Sequence, residues 1–227
     1  MAMKIALIGL GRFGQLLRDI LNDQDITTFD KHDSLDNLNR FDTIFLTVPI
    51  HTFDAVIQEI APQLKPGTTV IDTCSVKIYP TDCMKKYLSD DITIIATHPL
   101  FGPDSYYRSH HNKMMMHCAQ GNIASYDHWK HYFAQKNISI IEMTPDDHDR
   151  YAAYSQGVTH LIGRTLQKAD IQSTPIDTLG FTQLLTIMNQ TCHDSIALFH
   201  DLQLYNPYTK ECQKHIKKAL TELIENP

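Results

Sequence analysis

Residues 4 to 22 read KIALIGLGRFGQLLRDILN, and no other stretch restricts the fold as strongly. Residues 5 to 8 are apolar without alternation, as in a strand buried on both faces of a parallel sheet. Gly9, Gly11 and Gly14 follow at once in the spacing GxGxxG, and apolar residues at 13, 16, 17, 20 and 21 then recur at a helical period. A strand, a glycine loop and a helix in that order predict a dinucleotide-binding βαβ unit. Gly9 permits the tight turn, Gly11 lets the backbone approach a pyrophosphate, and Gly14 lets the helix pack closely on the strand. Asp30 ends the next apolar stretch, sixteen residues past Gly14. A carboxylate there hydrogen-bonds the adenosine ribose and repels a 2′-phosphate, which selects NAD. Lys31 and His32 beside it tolerate a phosphate, so NADP is the second choice. The expected cofactor-binding set is Gly9, Gly11, Arg12, Phe13, Gly14 and Asp30, with Val48 and Pro49 where the third strand ends.

Strand and helix patterns alternate from residue 3 to about 143. DITTFD, FDTIFLTVP, TTVIDTCS and DITIIATHP read as strands, and KMMMHCAQ and NISIIEM flank a helical stretch at 124 to 136. This alternation predicts an α/β fold, a doubly wound Rossmann-type sheet with helices on both faces. After EMTPDDHDR only helical patterns remain, at about 146 to 170, 177 to 204 and 208 to 225. The expected division is a nucleotide-binding domain over 1–144 and a small all-α domain over 145–227. The second part is small for a free-standing core, so it is expected to pack on the sheet domain or on a second copy of itself.

Bulk properties exclude several classes. A net charge of −6 gives no reason for a nucleic-acid surface. The five cysteines show no CxxC spacing, which argues against a zinc knuckle or disulfide framework and for reduced thiols in a cytoplasm. No metal site is expected, nor any membrane association, since the first apolar run is too short to span a bilayer. Most of the 13 histidines, His110 and His111 in a polar loop among them, are expected to be exposed.

The stretch ATHPLFGPD, residues 96 to 104, is different. Proline cannot donate to a sheet ladder and disfavours helical geometry in the residue before it, so His98 sits on a stiffened strand end. Pro49, Ser75 and His98 all fall at carboxyl ends of strands, where ligands of doubly wound sheets bind. Taken singly, Ser75 also reads as a helix N-cap and His98 as a turn histidine. Taken together they fit a hydride-transfer site, in which a neutral imidazole accepts a substrate hydroxyl proton.

GLGRFGQ, DTCSVK, THPLFGPDS, EMTPDDHDRYAAYSQGVTHLIGR, STPIDTLGFTQLL and DLQLYNPY together resemble the prephenate/arogenate dehydrogenase family of tyrosine biosynthesis, most of all its arogenate branch. The resemblance runs from residue 4 to about 208. It implies an NAD(P)-dependent oxidative decarboxylation of prephenate or arogenate and a homodimer formed through the helical domain. His98 would accept the hydroxyl proton, Ser75 would orient that hydroxyl or His98, and His160 and Arg164 would serve the substrate. Two departures stand out. Plant members carry a Ser/Arg-type NADP pocket after the second strand, where this chain has Asp30. Many bacterial members place an arginine in an FRD context, where this chain reads GFTQLL.

Read as one helix, residues 146 to 170 put Asp149, Gln156, His160, Arg164 and Gln167 on one polar face shared with Ala153 and Gly163. Small residues on that face fit a close approach by a ligand or by the nucleotide domain. Gln156, His160 and Arg164 are therefore expected to bind substrate, with Arg164 replacing the missing carboxylate anchor and Arg150 and Arg108 as the runners-up. Two other classes stay open. A β-hydroxyacid dehydrogenase would use a lysine on this helix, but Lys168 lies off the polar face. A non-catalytic NAD(H)-binding sensor would bind the cofactor without turnover.

Overall fold

The computed structural model describes residues 3–108 and 111–225; His110 lies outside the described residues. The chain divides into two compact units, Met1–His148 and Asp149–Pro227.

The first unit is a seven-stranded sheet: β1 (Lys4–Ile8), β2 (Asp25–Phe29), β3 (Thr43–Leu46), β4 (Thr69–Asp72), β5 (Thr93–Pro99), β6 (Asn112–Gln120) and β7 (Ile138–Glu142), in the order β2-β1-β3-β4-β5-β6-β7. The strands through β5 are parallel, β6 runs antiparallel to β5, and β7 is parallel to β6. This Rossmann-type arrangement follows from the unbroken apolar strands. Leu7, Phe45, Ile71 and Ile95 pair in register and join one core cluster with α1 (Arg12–Ile20) and α4 (Ile123–Gln135). Their neighbours Ala6, Ile44, Val70 and Ile94 are equally buried and, by the strand's alternation, point to the other face. Helices α2 (Phe53–Ile60) and α3 (Ile78–Tyr87) pack on each other. The antiparallel β6 was not foreseen. Among the described residues between β5 and β6 there is no crossover helix, and a parallel return requires one.

The second unit is helical, but with more breaks than expected. The expected helix 146–170 is two: α5 (Pro145–Tyr154), which reaches into this unit, and α6 (Gln156–Lys168), separated where Ser155 leaves helical geometry at φ −115° and ψ −84°. The expected helix 177–204 is also two, α7 (Leu179–His193) and α8 (Ile196–Tyr205), because Ser195 caps a new helix by accepting from the Leu198 amide at 3.1 Å. The last helix is α9 (Thr209–Glu225). The close approach at the small residues comes from neighbouring helices. A β-carbon on Gly163 would lie 2.0 Å from the Thr191 hydroxyl of α7, and one on Gly157 would lie 3.5 Å from the Thr209 methyl of α9.

Candidate active site

Parallel pairing brings the carboxyl ends of β1, β3, β4 and β5 to one edge of the sheet. The glycine loop leaves β1 there. Gly9 has φ +103°, a conformation that glycine adopts without strain, and its amide donates to Phe29 O at 2.8 Å. A β-carbon on Gly14 would stand 2.0 Å from Gly9 O, so only glycine allows α1 to begin this close to the strand. Gly11 differs from both, with open space within 4 Å of where its β-carbon would be. The backbone there is bare, as a pyrophosphate cradle needs. Thr47, at the end of β3, ties the loop down by donating its hydroxyl to Gly9 O at 2.6 Å, and half-buried Val48 and exposed Pro49 follow it. Asp30 is exposed at the end of β2, and its Oδ1 accepts from the Leu10 amide at 3.4 Å.

The segment after His98 folds back on this loop. Arg12 Nη2 donates to both carboxylate oxygens of Asp104, at 2.8 and 2.7 Å, and the Phe13 and Phe101 rings lie 6.4 Å apart. Arg12 and Phe13 thus join the glycine loop to the HPLFGPDS segment.

His98 is 4% exposed, and its Nδ1 lies 2.7 Å from His148 Nε2. Burial, reinforced by the neighbouring His148 and Lys77, holds the imidazole well below the usual histidine range, so it stands neutral at physiological pH. Ser75 is half-buried and does not cap α3, whose N-cap position is Lys77 with no side-chain cap bond.

Three residues of this region carried no expectation from the sequence. Lys77 is fully buried; its ammonium donates to Asp72 Oδ1 and to the Thr97 carbonyl, the backbone just before His98. Burial pushes the Asp72 carboxyl up, and Lys77 pulls it back down. An acid inside the buried strand TVID was the available signal, because such a charge needs a partner. His148 lies in the first turn of α5. Thr144 fixes that turn, accepting from the Asp147 amide at 3.1 Å and donating to its carboxylate at 2.8 Å, with Pro145 opening the helix. Of the twelve described histidines, only His98, His148 and His160 are buried.

In the second unit Gln156, His160 and Arg164 stand one turn apart on α6. Each holds a buried polar atom without a hydrogen-bond partner: Gln156 Oε1, His160 Nδ1 and Arg164 Nε. Orphaned buried polar atoms are costly, roughly 1–3 kcal/mol each, and three along one helix face fit a ligand-binding surface. Asp194, between α7 and α8, adds an acid the sequence did not flag. Its Oδ2 lies 3.8 Å from His160 Nε2, and its carbonyl accepts from Arg164 Nη2 at 2.5 Å. Burial lowers His160, with Asp194 acting against it. Gln167 is exposed.

The chain is similar to known proteins. The model of the prephenate dehydrogenase nucleotide-binding domain matches residues 22–118, and that of the TYRAAT1-like C-terminal domain matches 165–226. Arogenate dehydrogenase 2, chloroplastic, of Arabidopsis thaliana is 33% identical over 96% of this chain, which spans 68% of that protein. The chain belongs to the prephenate/arogenate dehydrogenase family. It is accordingly an oxidoreductase that depends on a nicotinamide cofactor. Arogenate dehydrogenase 1, chloroplastic, of the same plant is 31% identical over 97% of the chain, which spans 38% of that longer relative. Prephenate dehydrogenase from A. aeolicus, solved with hydroxyphenyl propionate and NAD+, shares the fold at a TM-score of 0.79 and 17% identity, over 99% of this chain and 90% of that one. Synechocystis arogenate dehydrogenase aligns at 0.70, also 17% identical, over 98% and 92%. Among the described residues, no helix is long and apolar enough to cross a membrane.

Proposed function

We propose that the protein oxidises and decarboxylates arogenate, with prephenate as the second candidate, using NAD in preference to NADP. Hydride leaves the ring carbon that bears the hydroxyl, the hydroxyl proton passes to His98, and the ring carboxylate departs as CO₂ while the ring becomes aromatic. The bound nicotinamide supplies the hydride acceptor. Gly9, Gly11, Arg12, Phe13 and Gly14 would hold its dinucleotide, with Val48 and Pro49 in the turn after β3 and Asp30 on the ribose. The observation that carries the reading is His98 itself: a buried imidazole kept neutral at the ligand edge of the sheet, fit to accept a proton. With His98 Nδ1 taken by His148, the role left for Ser75 is to orient the substrate hydroxyl.

Gln156, His160 and Arg164 bind substrate, Arg164 taking its carboxylate. Arogenate carries an ammonium where prephenate carries a keto group. An acid 3.8 Å from His160 supports the ammonium-bearing substrate. The five free cysteines fit a reducing compartment such as the cytoplasm. The helical unit is proposed to pair with a second copy.

The test incubates the protein with arogenate or prephenate and NAD+ or NADP+ while reduced-cofactor absorbance is followed. Arogenate with NAD+ is expected to react fastest, and silence in all four combinations would remove the enzyme reading. His98→Asn is expected to lower turnover by roughly 10²-fold or more with dinucleotide binding retained, as loss of a general base does. A rate near wild type would exclude His98 as the base.

A further inference from the structure

We propose that His148 is a positioning residue for His98: it accepts the Nδ1–H of His98 and so fixes the tautomer whose Nε2 takes the substrate's hydroxyl proton. This inference rests on the reading of His98 as the base.

The two rings meet nearly edge to face, with centroids 4.9 Å apart and planes at 75°, and with Nδ1 of His98 2.7 Å from Nε2 of His148. That separation holds one proton. Two protons would collide and two lone pairs would repel, so one ring donates and the other accepts. If His148 donated, a neutral His98 would carry its own proton on Nε2 and could accept none from the substrate. Base competence at Nε2 therefore requires His148 as the acceptor.

The surroundings oppose added positive charge at His98. His148 faces His98 from α5. From the start of α3 the Lys77 ammonium, bound to Asp72 of β4, adds a fixed cation. Across the ladder β6 presents Met115, which is apolar. When His98 Nε2 takes the hydroxyl proton, the Nδ1–H to His148 bond becomes charge-assisted and strengthens. The interaction is thus tighter once proton transfer begins than before it, which is the property that raises turnover rather than substrate affinity.

Position also comes from the backbone. Pro145 and the Thr144 cap start the helix that carries His148, and Pro99 ends the strand that carries His98. Each ring is therefore fixed by a proline-stiffened segment.

The test compares the full-length protein with His148→Phe and His148→Gln, following kcat, KM, the pH profile of kcat/KM, NAD+ affinity and melting temperature. Phenylalanine keeps the ring and removes the acceptor; it is expected to lower kcat by roughly 10²-fold, the scale of a lost general base, with KM and NAD+ affinity nearly unchanged. Glutamine offers Oε1 to the Nδ1–H and is expected to recover a large part of kcat. In His148→Phe the acceptor that stabilises protonated His98 is gone, so the acid limb of kcat/KM is expected to move down, and glutamine, which restores an acceptor, is expected to bring it back towards the wild-type position. A His148→Phe protein with wild-type kcat and acid limb would overturn the proposal. So would equal losses in both variants with KM raised, melting temperature lowered and the acid limb unmoved, which is the pattern of a structural residue. If His98→Asn retains turnover, the reading of His98 fails first, and that result is separate from either His148 variant.

Discussion

The two units differ in how much apolar side chain they bury. In the first, the sheet is filled on both faces by strand side chains at or near zero exposure, and Trp129, Phe45 and Phe133 meet at 4.8 to 6.3 Å between ring centres. In the second, Ala153, Leu202 and Cys212 are the buried apolar side chains among the described residues, while Asp149, His160, Thr191, Asp201, Asn206 and Thr209 are buried and polar. Ile176, Leu179, Leu204, Leu223 and Ile224 are instead more than 60% exposed. A core held by apolar area loses stability in proportion to the area removed, whereas one held by small-residue contacts and hydrogen bonds depends on fit.

The largest expected effect tests the first half of that contrast. Trp129→Ala should destabilise the first unit by about 3–5 kcal/mol through lost packing and a cavity. Ile176→Ala, at a side chain 87% exposed, should stay within about 0.5 kcal/mol. Denaturant unfolding followed for each variant checks this, and similar losses from the two would dissolve the contrast.

A smaller effect tests fit in the second unit. Gly163→Ala adds one carbon where the Thr191 hydroxyl already stands, 2.0 Å from the new atom. Overpacking of this kind costs about 1–3 kcal/mol, although alanine is the better helix former by roughly 1 kcal/mol. The measured sign decides: a stabilised Gly163→Ala protein would mean that α6 and α7 separate easily. Gly163→Ala with Thr191→Gly should recover most of the loss, since the clash is with that side chain.

The same contrast explains what the sequence disclosed. Unbroken apolar strands and a glycine loop are local signals, and they placed β1 to β5, the glycine loop and the stiffened end at His98. Helical periods in the second part were also legible, but their interruptions were not. Ser155 and Ser195 read as ordinary helix positions between apolar stripes, and a wheel drawn through residues 146 to 170 crossed the first break unnoticed. It still grouped Gln156, His160 and Arg164, because all three lie beyond that break. The small residues were taken to mean approach by a ligand or by the nucleotide domain, whereas α7 and α9 stand against them, because a wheel does not name the neighbour and Thr191 is distant in sequence. His148, Lys77 and Asp194 stayed hidden for a related reason. Each gains its meaning from a partner that only the fold brings near: His98, Asp72 with Thr97, and His160 with Arg164.

The smallest effect in a single-molecule sense is the most informative about the exposed apolar surface. Cys212, Ile216, Leu220, Leu223 and Ile224 form one stripe on α9, spaced by three, four or a single residue. Cys212 is 3% exposed, Leu220 46%, Leu223 70% and Ile224 76%, so the stripe continues after the support of its own unit has ended. Polar replacement on a solvent-facing helix changes stability by at most about 0.5 kcal/mol. If a second copy covers the stripe, folding and association are linked, and melting temperature rises with protein concentration. Leu223→Lys with Ile224→Lys is therefore expected to convert a sedimenting dimer into a monomer and to abolish that concentration dependence. A wild-type protein that sediments as a monomer at all concentrations, or a double variant that remains dimeric, would show that α9 is no dimer contact. The second unit would then hold its fold through its polar contacts and small-residue fit without a partner.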